Sequence, residues 1–355
     1  MAEPLRRTRL HHGYRFKNRF LIWALRGFDT LLGLFPSRRA PLPDRPHGIL
    51  VMKPDHLGDL VMVTAVLPLL TENYPDAAID MLCGSWGGAV LGNNPAIRRL
   101  VSFDHILYDR RDIAFGRKLL DFWKSLMHTF KVMREERYDL CINLRDAGGD
   151  LILLSRLGGC RHVVGHGTGG GRALLDTLVP WQEGRHEVEH YLEVLRPLGI
   201  DAKLPDLSCH LFPCDADQER VNELLDRHDL TNFVVIQPGS GDPRKLRPAL
   251  FWAEIIAGLD PDCKVVLTGS SEETSLCREI AGFCSRQTVC LSGEMTVAQL
   301  YLFMRRSIAV YALDSLAAHL GAAAGVPVKV FWSRTNDAVQ WRPLGGKVEI
   351  IAPQD

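Results

Sequence analysis

The stretch Tyr311-Ala-Leu-Asp-Ser-Leu-Ala-Ala-His-Leu-Gly-Ala-Ala-Ala-Gly-Val-Pro327 joins the end of an apolar strand to a helix of small residues. Asp314 and Ser315 occupy the turn, where side-chain oxygens can accept hydrogen bonds from the free N–H groups that open a helix. His319 lies one helical turn after Ser315, on the same face. Because these N–H groups and the helix dipole favour an anion, the stretch predicts a phosphate site at the carboxyl edge of a parallel sheet. A capped, tightly packed helix with one surface histidine is the alternative.

Short apolar runs alternate with helical patterns on both sides of this stretch. Strands are predicted at Ile49–Lys53, Ile79–Cys83, Leu100–Phe103, Leu140–Leu144, Val163–Gly165, Phe233–Gln237, Lys264–Thr268, Val289–Leu291, Ser307–Ala312 and Val328–Trp332. This alternation predicts an α/β fold with two Rossmann-like, doubly wound domains facing a central cleft. We place the first domain at 47–205, an interdomain connection at 206–230 and the second domain at 231–355.

The overall composition is that of an ordinary globular protein. The chain has 355 residues, of which 46% are hydrophobic, and its 42 basic residues balance its 42 acidic ones. A balanced charge argues against a nucleic-acid partner, which usually requires a basic surplus. The nine cysteines form no C-x-x-C pair. We interpret them as reduced, largely buried thiols rather than disulfides or zinc ligands.

Residues 1–46 differ from the rest of the chain because ten of them are Lys or Arg and only three are acidic. Within 14–35, aromatic and aliphatic side chains share one helical face and arginines cluster opposite. This pattern favours a basic amphipathic helix lying on an anionic membrane surface, and packing on the body of the protein is an equally weighted alternative. The apolar run is too short to span a bilayer, and no signal-peptide cleavage site follows it. Prolines at 36–46 predict a stiff linker.

One strand end in the first domain carries candidate chemistry. The first strand leads into Lys53-Pro-Asp-His-Leu-Gly-Asp59, where Asp59 falls in the first turn of a helix. A carboxylate there can take a proton from a substrate, or it can simply be favoured by the helix dipole. The segment lacks the G-x-G-x-x-G dinucleotide fingerprint. The glycine-rich run Gly165–Gly171 is predicted to be a mobile loop, with a phosphate cradle as the alternative.

In the second domain, strand 233–237 leads into a loop that contains Gly239, Ser240, Arg244 and Lys245. Exposed backbone together with basic side chains suits a diphosphate, and a solvated basic loop is the alternative. Strand 264–268 leads into Glu272 and Glu273, which could bind ribose hydroxyls or simply begin a helix.

From Gly48 to about Gly345, the chain resembles glycosyltransferase family 9, the bacterial heptosyltransferases of lipopolysaccharide synthesis. Six features carry the resemblance, in order along the chain: Ile49-Leu-Val-Met-Lys with Gly58-Asp59 and Pro68, Tyr74-Pro-Asp-Ala-Ala-Ile-Asp, Pro238-Gly-Ser with Lys245, Leu267-Thr-Gly with Glu272, Asp314-Ser-x-x-x-His319, and Gly325-Val-Pro. The resemblance implies a GT-B fold and inverting, metal-independent transfer of a sugar from a nucleotide-diphosphate donor such as ADP-heptose, without a cofactor. The implied acceptor is a membrane glycolipid or cell-envelope glycan. The implied location is the cytoplasmic, inner face of the membrane, with residues 14–35 at the anionic surface.

The resemblance also implies roles for individual residues. Asp59 would deprotonate the acceptor, and Lys245 would neutralise the leaving diphosphate. Glu272 or Glu273 would hold the ribose of the donor, whose sugar and phosphates Asp314, Ser315 and His319 would surround. We place Lys53, His56 and Gly58 on the acceptor side. Leu316 stands where the family usually has glycine, which favours the alternative of an inactive relative that serves as a membrane-associated binding or scaffold protein.

Overall fold

The structure is a computed structural model, and it describes residues 10–11, 13–16, 18–34, 39–106, 108–109, 111, 113–333 and 335–352. These residues form two compact units that divide between Leu207 and Ser208. We call them the N-terminal unit and the C-terminal unit. The stretch 206–230, predicted to be a connection, contains a helix whose Val221, Leu224 and Leu225 are buried.

The N-terminal unit is built on a sheet of six parallel strands in the order β3-β2-β1-β4-β5-β6. The strands are β1 (Gly48–Met52), β2 (Ala78–Cys83), β3 (Arg99–Ser102), β4 (Leu140–Asn143), β5 (His162–His166) and β6 (Thr177–Val179). The central strands are runs of apolar residues because helices cover both faces of a parallel sheet. The helices are α1 (Arg19–Gly33), α2 (Leu57–Val63), α3 (Leu67–Asn73), α4 (Gly88–Leu91), α5 (Phe115–Glu136), α6 (Gly149–Gly158) and α7 (Glu187–Leu195).

The C-terminal unit repeats this topology, with six parallel strands in the order β12-β11-β10-β7-β8-β9. The strands are β7 (Phe233–Gln237), β8 (Lys264–Leu267), β9 (Thr288–Cys290), β10 (Ala309–Leu313), β11 (Val328–Phe331) and β12 (Val348–Ile351). The helices are α8 (Asp215–Arg227), α9 (Ala249–Ala257), α10 (Thr274–Phe283), α11 (Val297–Met304), α12 (Leu316–Ala323) and α13 (Ala338–Trp341). Gly321 of α12 lets this helix lie close to β10, because a Cβ there would come within 3.2 Å of Val310.

The predicted fold class of two doubly wound α/β domains is confirmed, since both sheets follow the order of a Rossmann fold. All ten predicted strands are present, within one or two residues of their predicted bounds. The prediction missed β6 and β12. Both are short strands at a sheet edge, and neither forms a long apolar run.

The expectation that all cysteines are reduced thiols is wrong for one pair. Cys141 of β4 and Cys160, which precedes β5, form a disulfide with a Cα–Cα distance of 6.3 Å. They meet because β4 and β5 are neighbours in the sheet, a pairing that no local spacing reveals. Cys83 and Cys263 are free and buried, as predicted.

Helix α1 packs on the N-terminal unit through a narrow stripe formed by Ile22, Leu25 and Asp29. One carboxylate oxygen of Asp29 accepts hydrogen bonds from the N–H groups of Gly171 and Arg172, at 2.7 and 3.1 Å. The other accepts one from the Tyr14 hydroxyl, at 2.9 Å. Helix α1 therefore docks at the end of the glycine-rich run Gly165–Gly171.

The broad apolar face of α1 points away from the unit. Phe20, Trp23 and Leu31 are 76%, 72% and 61% exposed. The alternative of packing on the body of the protein therefore holds for this one stripe, and the broad apolar face of α1 stays exposed. Phe16 lies just before the helix and is half-buried, whereas Lys17 and Phe35 fall outside the described residues. Across the described part of the chain, no helix is both long and apolar enough to cross a bilayer.

Candidate functional site

In the C-terminal unit, the predicted donor residues gather at the carboxyl ends of three adjacent strands. The loop after β7 carries Gly239–Lys245, the turn after β8 carries Glu272 and Glu273, and the turn after β10 carries Asp314 and Ser315. Strands β8 and β9 follow β7 on one side of the sheet, and β11 and β12 follow β10 on the other, so the strand order reverses between β7 and β10. Such a switch point leaves a crevice at the carboxyl edge, where doubly wound sheets bind their ligands.

Lys245 and Asp314 form the central ion pair of this edge. The Nζ atom of Lys245 lies 2.8 Å from Oδ2 of Asp314 and donates a hydrogen bond to the backbone carbonyl of Asp314, at 2.7 Å. The Asp314 carboxylate also accepts hydrogen bonds from the N–H and hydroxyl groups of Ser333. Asp314 is buried and fully engaged, so its contribution is to hold Lys245 rather than to face a ligand. The Lys245 side chain remains 10% exposed at this edge.

Arg244 is held differently from Lys245. Its guanidinium group forms a two-point contact with the Asp242 carboxylate, at 2.9 and 2.7 Å. The Arg244 contact lowers the pKa of Asp242 to about 2. Arg244 is nevertheless exposed. Its guanidinium group could bind an anion by giving up the contact with Asp242.

The structure separates the roles of the two neighbouring glutamates. The Glu273 carboxylate accepts a hydrogen bond from the Ser270 N–H, at 2.8 Å, and occupies the space beside Gly239 and Gly269 where a Cβ would stand. Glu273 is thus a capping residue. Its side chain also explains why Gly239 and Gly269 lack a Cβ, since a Cβ at either position would collide with it. Glu272 is exposed, and its pKa is lowered by hydrogen bonds from its own N–H and from Ser270. Of the two, only Glu272 therefore presents its carboxylate at the surface.

Helix α12 opens without a side-chain cap, contrary to the expectation that Asp314 or Ser315 would supply one. Asp314 is taken up by Lys245, and the buried hydroxyl oxygen of Ser315 makes no hydrogen bond to any described residue. The first N–H groups of α12 therefore have no side-chain acceptor. His319 lies half-buried one turn further along. A helix N-terminus beside a lysine ammonium suits an anion.

In the N-terminal unit, Asp59 lies at the start of α2, directly after β1. Its carboxylate accepts a hydrogen bond from the His56 N–H at 3.0 Å and lies 3.7 Å from the His56 imidazole nitrogen Nδ1. Asp59 thus closes a capping box, which is the structural role left open by the sequence. Its side chain keeps 14% exposure, so the carboxylate remains accessible to a small polar group. Gly58 stands beside it in the first helical turn.

Lys53 does not face the acceptor side as expected. Its side chain is 1% exposed, and its ammonium lies 2.8 Å from the equally buried Glu187 of α7. Burial opposes this charge, but Glu187, Tyr191 and Asp55 together hold the pKa of Lys53 well above its usual value. Lys53 therefore lies beneath the loop that carries Asp59 and contacts Asp55 of that loop, at 3.6 Å.

Two residues that were not predicted from the sequence, Asp55 and Arg145, complete this edge. Asp55 follows β1, and Arg145 follows β4, the neighbour of β1 at the switch point. The Asp55 carboxylate lies 3.4 Å from the Arg145 guanidinium group and 3.6 Å from the Lys53 ammonium. Burial raises the pKa of Asp55 despite both cations, with help from Asp59. Their position at the ends of adjacent central strands was the signal that could have revealed them.

A cluster of His166, His190 and Glu193 lies next to this edge. All three side chains are buried, and one potential ligand atom from each lies within 4.8 Å of the others. His166 donates a hydrogen bond through Nδ1 to the Val179 carbonyl oxygen, at 3.0 Å, and His190 Nδ1 lies 3.3 Å from a carboxylate oxygen of Glu193. Burial lowers the pKa of His166. Hydrogen bonds within the unit thus already account for this cluster, and we assign no metal to it.

Two Rossmann-type sheets, each with polar and charged side chains at its carboxyl edge, are typical of proteins with a GT-B-like fold. The family model for glycosyltransferase family 9 (heptosyltransferase) matches residues 126–354. Lipopolysaccharide heptosyltransferase 3 of Escherichia coli is 30% identical over 296 residues, which cover 81% of this chain and 83% of that protein. The chain belongs to glycosyltransferase family 9 and is an enzyme of that class.

Two solved structures have the same fold. A family 9 glycosyltransferase from Veillonella parvula superposes with a TM-score of 0.72 at 20% identity, covering 87% of this chain and 88% of that one. The E. coli ADP-heptose lipopolysaccharide heptosyltransferase II superposes with a TM-score of 0.66 at 21% identity, covering 86% and 90%.

Proposed function

We propose that the chain is an inverting, metal-independent glycosyltransferase. It moves a heptose-like sugar from a nucleotide-diphosphate donor, such as ADP-heptose, to a glycolipid or glycan of the cell envelope. The observation that carries the proposal is the Lys245 ammonium, held by Asp314 beside the uncapped start of α12. The relative from E. coli named for lipopolysaccharide heptosyl transfer, at 30% identity, supports the choice of sugar and acceptor.

The reaction exchanges one bond to the anomeric carbon for another. The acceptor hydroxyl loses its proton to the Asp59 carboxylate, and its oxygen forms the new glycosidic bond. The bond between the anomeric carbon and the diphosphate oxygen breaks, and the nucleoside diphosphate leaves with the bonding electrons. Attack from the face opposite the leaving group inverts the configuration.

The C-terminal unit supplies charge where the leaving group becomes more negative. A cation and helix N–H groups that are already fixed in place stabilise such charge without reorganisation. Lys245 and the start of α12 meet this requirement, and the exposed Arg244 can add to it. These groups stabilise the negative charge that a divalent cation would otherwise stabilise, so we expect transfer to continue in the presence of EDTA.

Donor binding is tested with Lys245→Ala. We expect ADP and ADP-heptose to raise the melting temperature of the native chain and to lose most of that effect in the variant, because a ligand of the folded state stabilises it. Lys264→Ala is the matched control, since Lys264 begins β8 at the opposite edge of the same sheet. If no nucleotide diphosphate binds the native chain, the scaffold alternative suggested by Leu316 is favoured.

The base is tested with Asp59→Asn, whose amide oxygen can still accept the hydrogen bond from His56. We expect turnover to fall by about 10²- to 10⁴-fold, the usual contribution of a general base, while donor affinity stays unchanged. Asp76→Asn, an exposed change in the same unit, serves as the control. Turnover within a few-fold of the native value would remove Asp59 from the mechanism.

We further propose that α1 lies on the anionic membrane surface that holds the acceptor. Its docked stripe fixes its orientation, and its exposed Phe20, Trp23 and Leu31 are free to enter the lipid interface. Replacing these three residues by serine should reduce sedimentation with phosphatidylglycerol vesicles without altering the melting temperature. Unchanged vesicle binding at low salt would dismiss this role.

A further inference from the structure

Helix α5 has a second apolar face that the fold does not use. Its inner face packs Phe122, Leu126 and Phe130 against the core of the N-terminal unit. On the outer side, Phe115, Leu119, Trp123 and Met127 follow one another at intervals of four residues and are 68%, 39%, 53% and 57% exposed. We call these four residues the α5 ridge. A surface helix normally carries a single apolar stripe, so a second one indicates a partner.

Basic residues run beside the α5 ridge. Arg117, Lys124 and Lys131 are exposed and repeat every seven residues, which places them along one line of the helix. The exposed positions of α5 also include Arg134, against a single exposed acid, Glu135. Of these cations, Arg117 also pairs with Asp121 at 3.0 Å and Lys131 with Glu135 at 3.8 Å, both at the surface. An apolar ridge on a helix with an exposed basic line complements an anionic lipid surface, where side chains enter the interface and cations meet the headgroups.

The α5 ridge begins beside the proposed acceptor residues. Lys118, in the first turn of α5, donates a hydrogen bond to the Asp109 carbonyl, at 3.0 Å. The neighbouring Tyr108 ring lies 4.0 Å from the Arg145 guanidinium carbon and 6.2 Å from the His56 ring. His56 in turn contacts Asp59. A bilayer that met the start of α5 would therefore lie close to the proposed base.

Helix α1 is tied to the same edge of the sheet. Arg15, which precedes it, forms an ion pair with Asp146, one residue after Arg145. Asp150, in the first turn of α6, lies 3.6 Å from both Arg145 and His105. The segment 145–150 thus connects the base of α1 with the loop that leads into α5. Both exposed apolar faces are anchored around the strand ends that carry the proposed acceptor site.

We propose that the α5 ridge is a second lipid-contacting surface, which seats the N-terminal unit on an anionic bilayer beside the acceptor site. The inference rests on the proposed function for its acceptor, a lipid-linked glycan. The proposed lipid contact of α5 depends only on the residues of the α5 ridge and not on the proposed reaction. Two separate contacts, α1 and α5, would fix the orientation of the unit, whereas one helix would leave it free to rotate about that helix.

The test uses the full chain with Leu119→Ser, Trp123→Ser and Met127→Ser combined. We expect its partition onto phosphatidylglycerol–phosphatidylcholine vesicles to fall on the order of tenfold or more, since three half-exposed apolar side chains lose their burial. The matched control combines Leu250→Ser, Phe283→Ser and Ile308→Ser, which have similar exposure in the C-terminal unit. The control should bind vesicles as the native chain does. Equal binding by the α5 variant and the native chain would overturn the proposal.

Two further measurements separate the possible explanations. Trp123→Phe keeps the ridge apolar, so we expect it to bind vesicles normally but to lose part of the fluorescence quenching by brominated lipids. If the native chain is instead a dimer that the ridge variant converts to a monomer, as measured by light scattering, the ridge binds a second copy and the proposal is wrong.

Transfer assays with a lipid-free and a vesicle-bound acceptor distinguish a failure of the lipid contact from a failure of the proposed function. The ridge variant should transfer sugar to a lipid-free acceptor fragment at the native rate but transfer poorly to the same acceptor in vesicles. A chain that binds vesicles through the ridge yet transfers no sugar to either acceptor would contradict the proposed function and leave the lipid contact standing. A ridge variant that transfers equally well to both acceptors would exclude a role for the ridge in reaching the acceptor.

Discussion

Breaking the buried pair of Lys53 and Glu187 should be among the most destabilising single changes in the N-terminal unit. Both side chains are 1% exposed, and the ammonium lies 2.8 Å from the carboxylate. At an effective dielectric constant of about 20, this distance corresponds to an attraction of roughly 6 kcal/mol. Removing one partner leaves the other charge buried, which usually costs about 3–5 kcal/mol. Glu187→Gln keeps the shape and one acceptor oxygen, so we expect a loss of about 3 kcal/mol.

The loss can be measured by urea unfolding of the full chain followed by tryptophan fluorescence. In a unit of this size, about 3 kcal/mol corresponds to a melting temperature roughly 6–12 °C lower. The matched control is Glu135→Gln, which breaks the exposed pair with Lys131, at 3.8 Å. An exposed pair of this kind contributes only about 0–0.5 kcal/mol.

A double substitution distinguishes the pair from the shape of the site. Lys53→Met with Glu187→Leu removes both charges and fills the same volume, and such replacements are often neutral or stabilising. We therefore expect the double variant to be more stable than Glu187→Gln alone, with Asp55 still paired to Arg145. A single variant within 1 kcal/mol of the native chain, or a double variant less stable than the single one, would refute the reasoning.

Three further outcomes are expected. Asp80→Asn should cost about 3 kcal/mol in urea unfolding, because the buried carboxylate accepts hydrogen bonds from Arg98, Arg99 and Tyr138. Since the arginines and Tyr138 lower the pKa of Asp80, that difference should be complete above about pH 4 and should shrink as the pH falls further. Gly239→Ala should displace Glu273 from its cap and cost about 1 kcal/mol, and Glu273→Ala in the same chain should remove most of the additional cost. Burial holds the pKa of His166 below its ordinary value, so the native chain should lose stability as the pH falls below about 6.5, and His166→Gln should flatten this slope whereas the exposed His47→Gln should not.

Much of the architecture follows from local pattern. The strands at the centre of each sheet are uninterrupted apolar runs, because helices bury both of their faces, and such runs can be recognised without a partner. The loop with Gly239 and Lys245 and the turn with Asp314 and Ser315 could be assigned to one edge, because parallel strands end on the same side of their sheet. The edge strands β6 and β12 could not be assigned in this way, since three or four residues with partial exposure carry too weak a signal.

Contacts between distant segments could be known only from the folded chain. Lys53 and Glu187 are 134 residues apart, and nothing in either local sequence indicates that one neutralises the other. Asp314 was predicted to contact a ligand. In the folded chain its carboxylate is buried, accepts a hydrogen bond from Ser333 and forms an ion pair with Lys245. Helical periodicity revealed the apolar face of α1 but not which face would be covered. That outcome depends on Asp29 meeting the N–H groups of Gly171 and Arg172, 142 and 143 residues later, because a half-buried carboxylate is stabilised by donors wherever the fold supplies them.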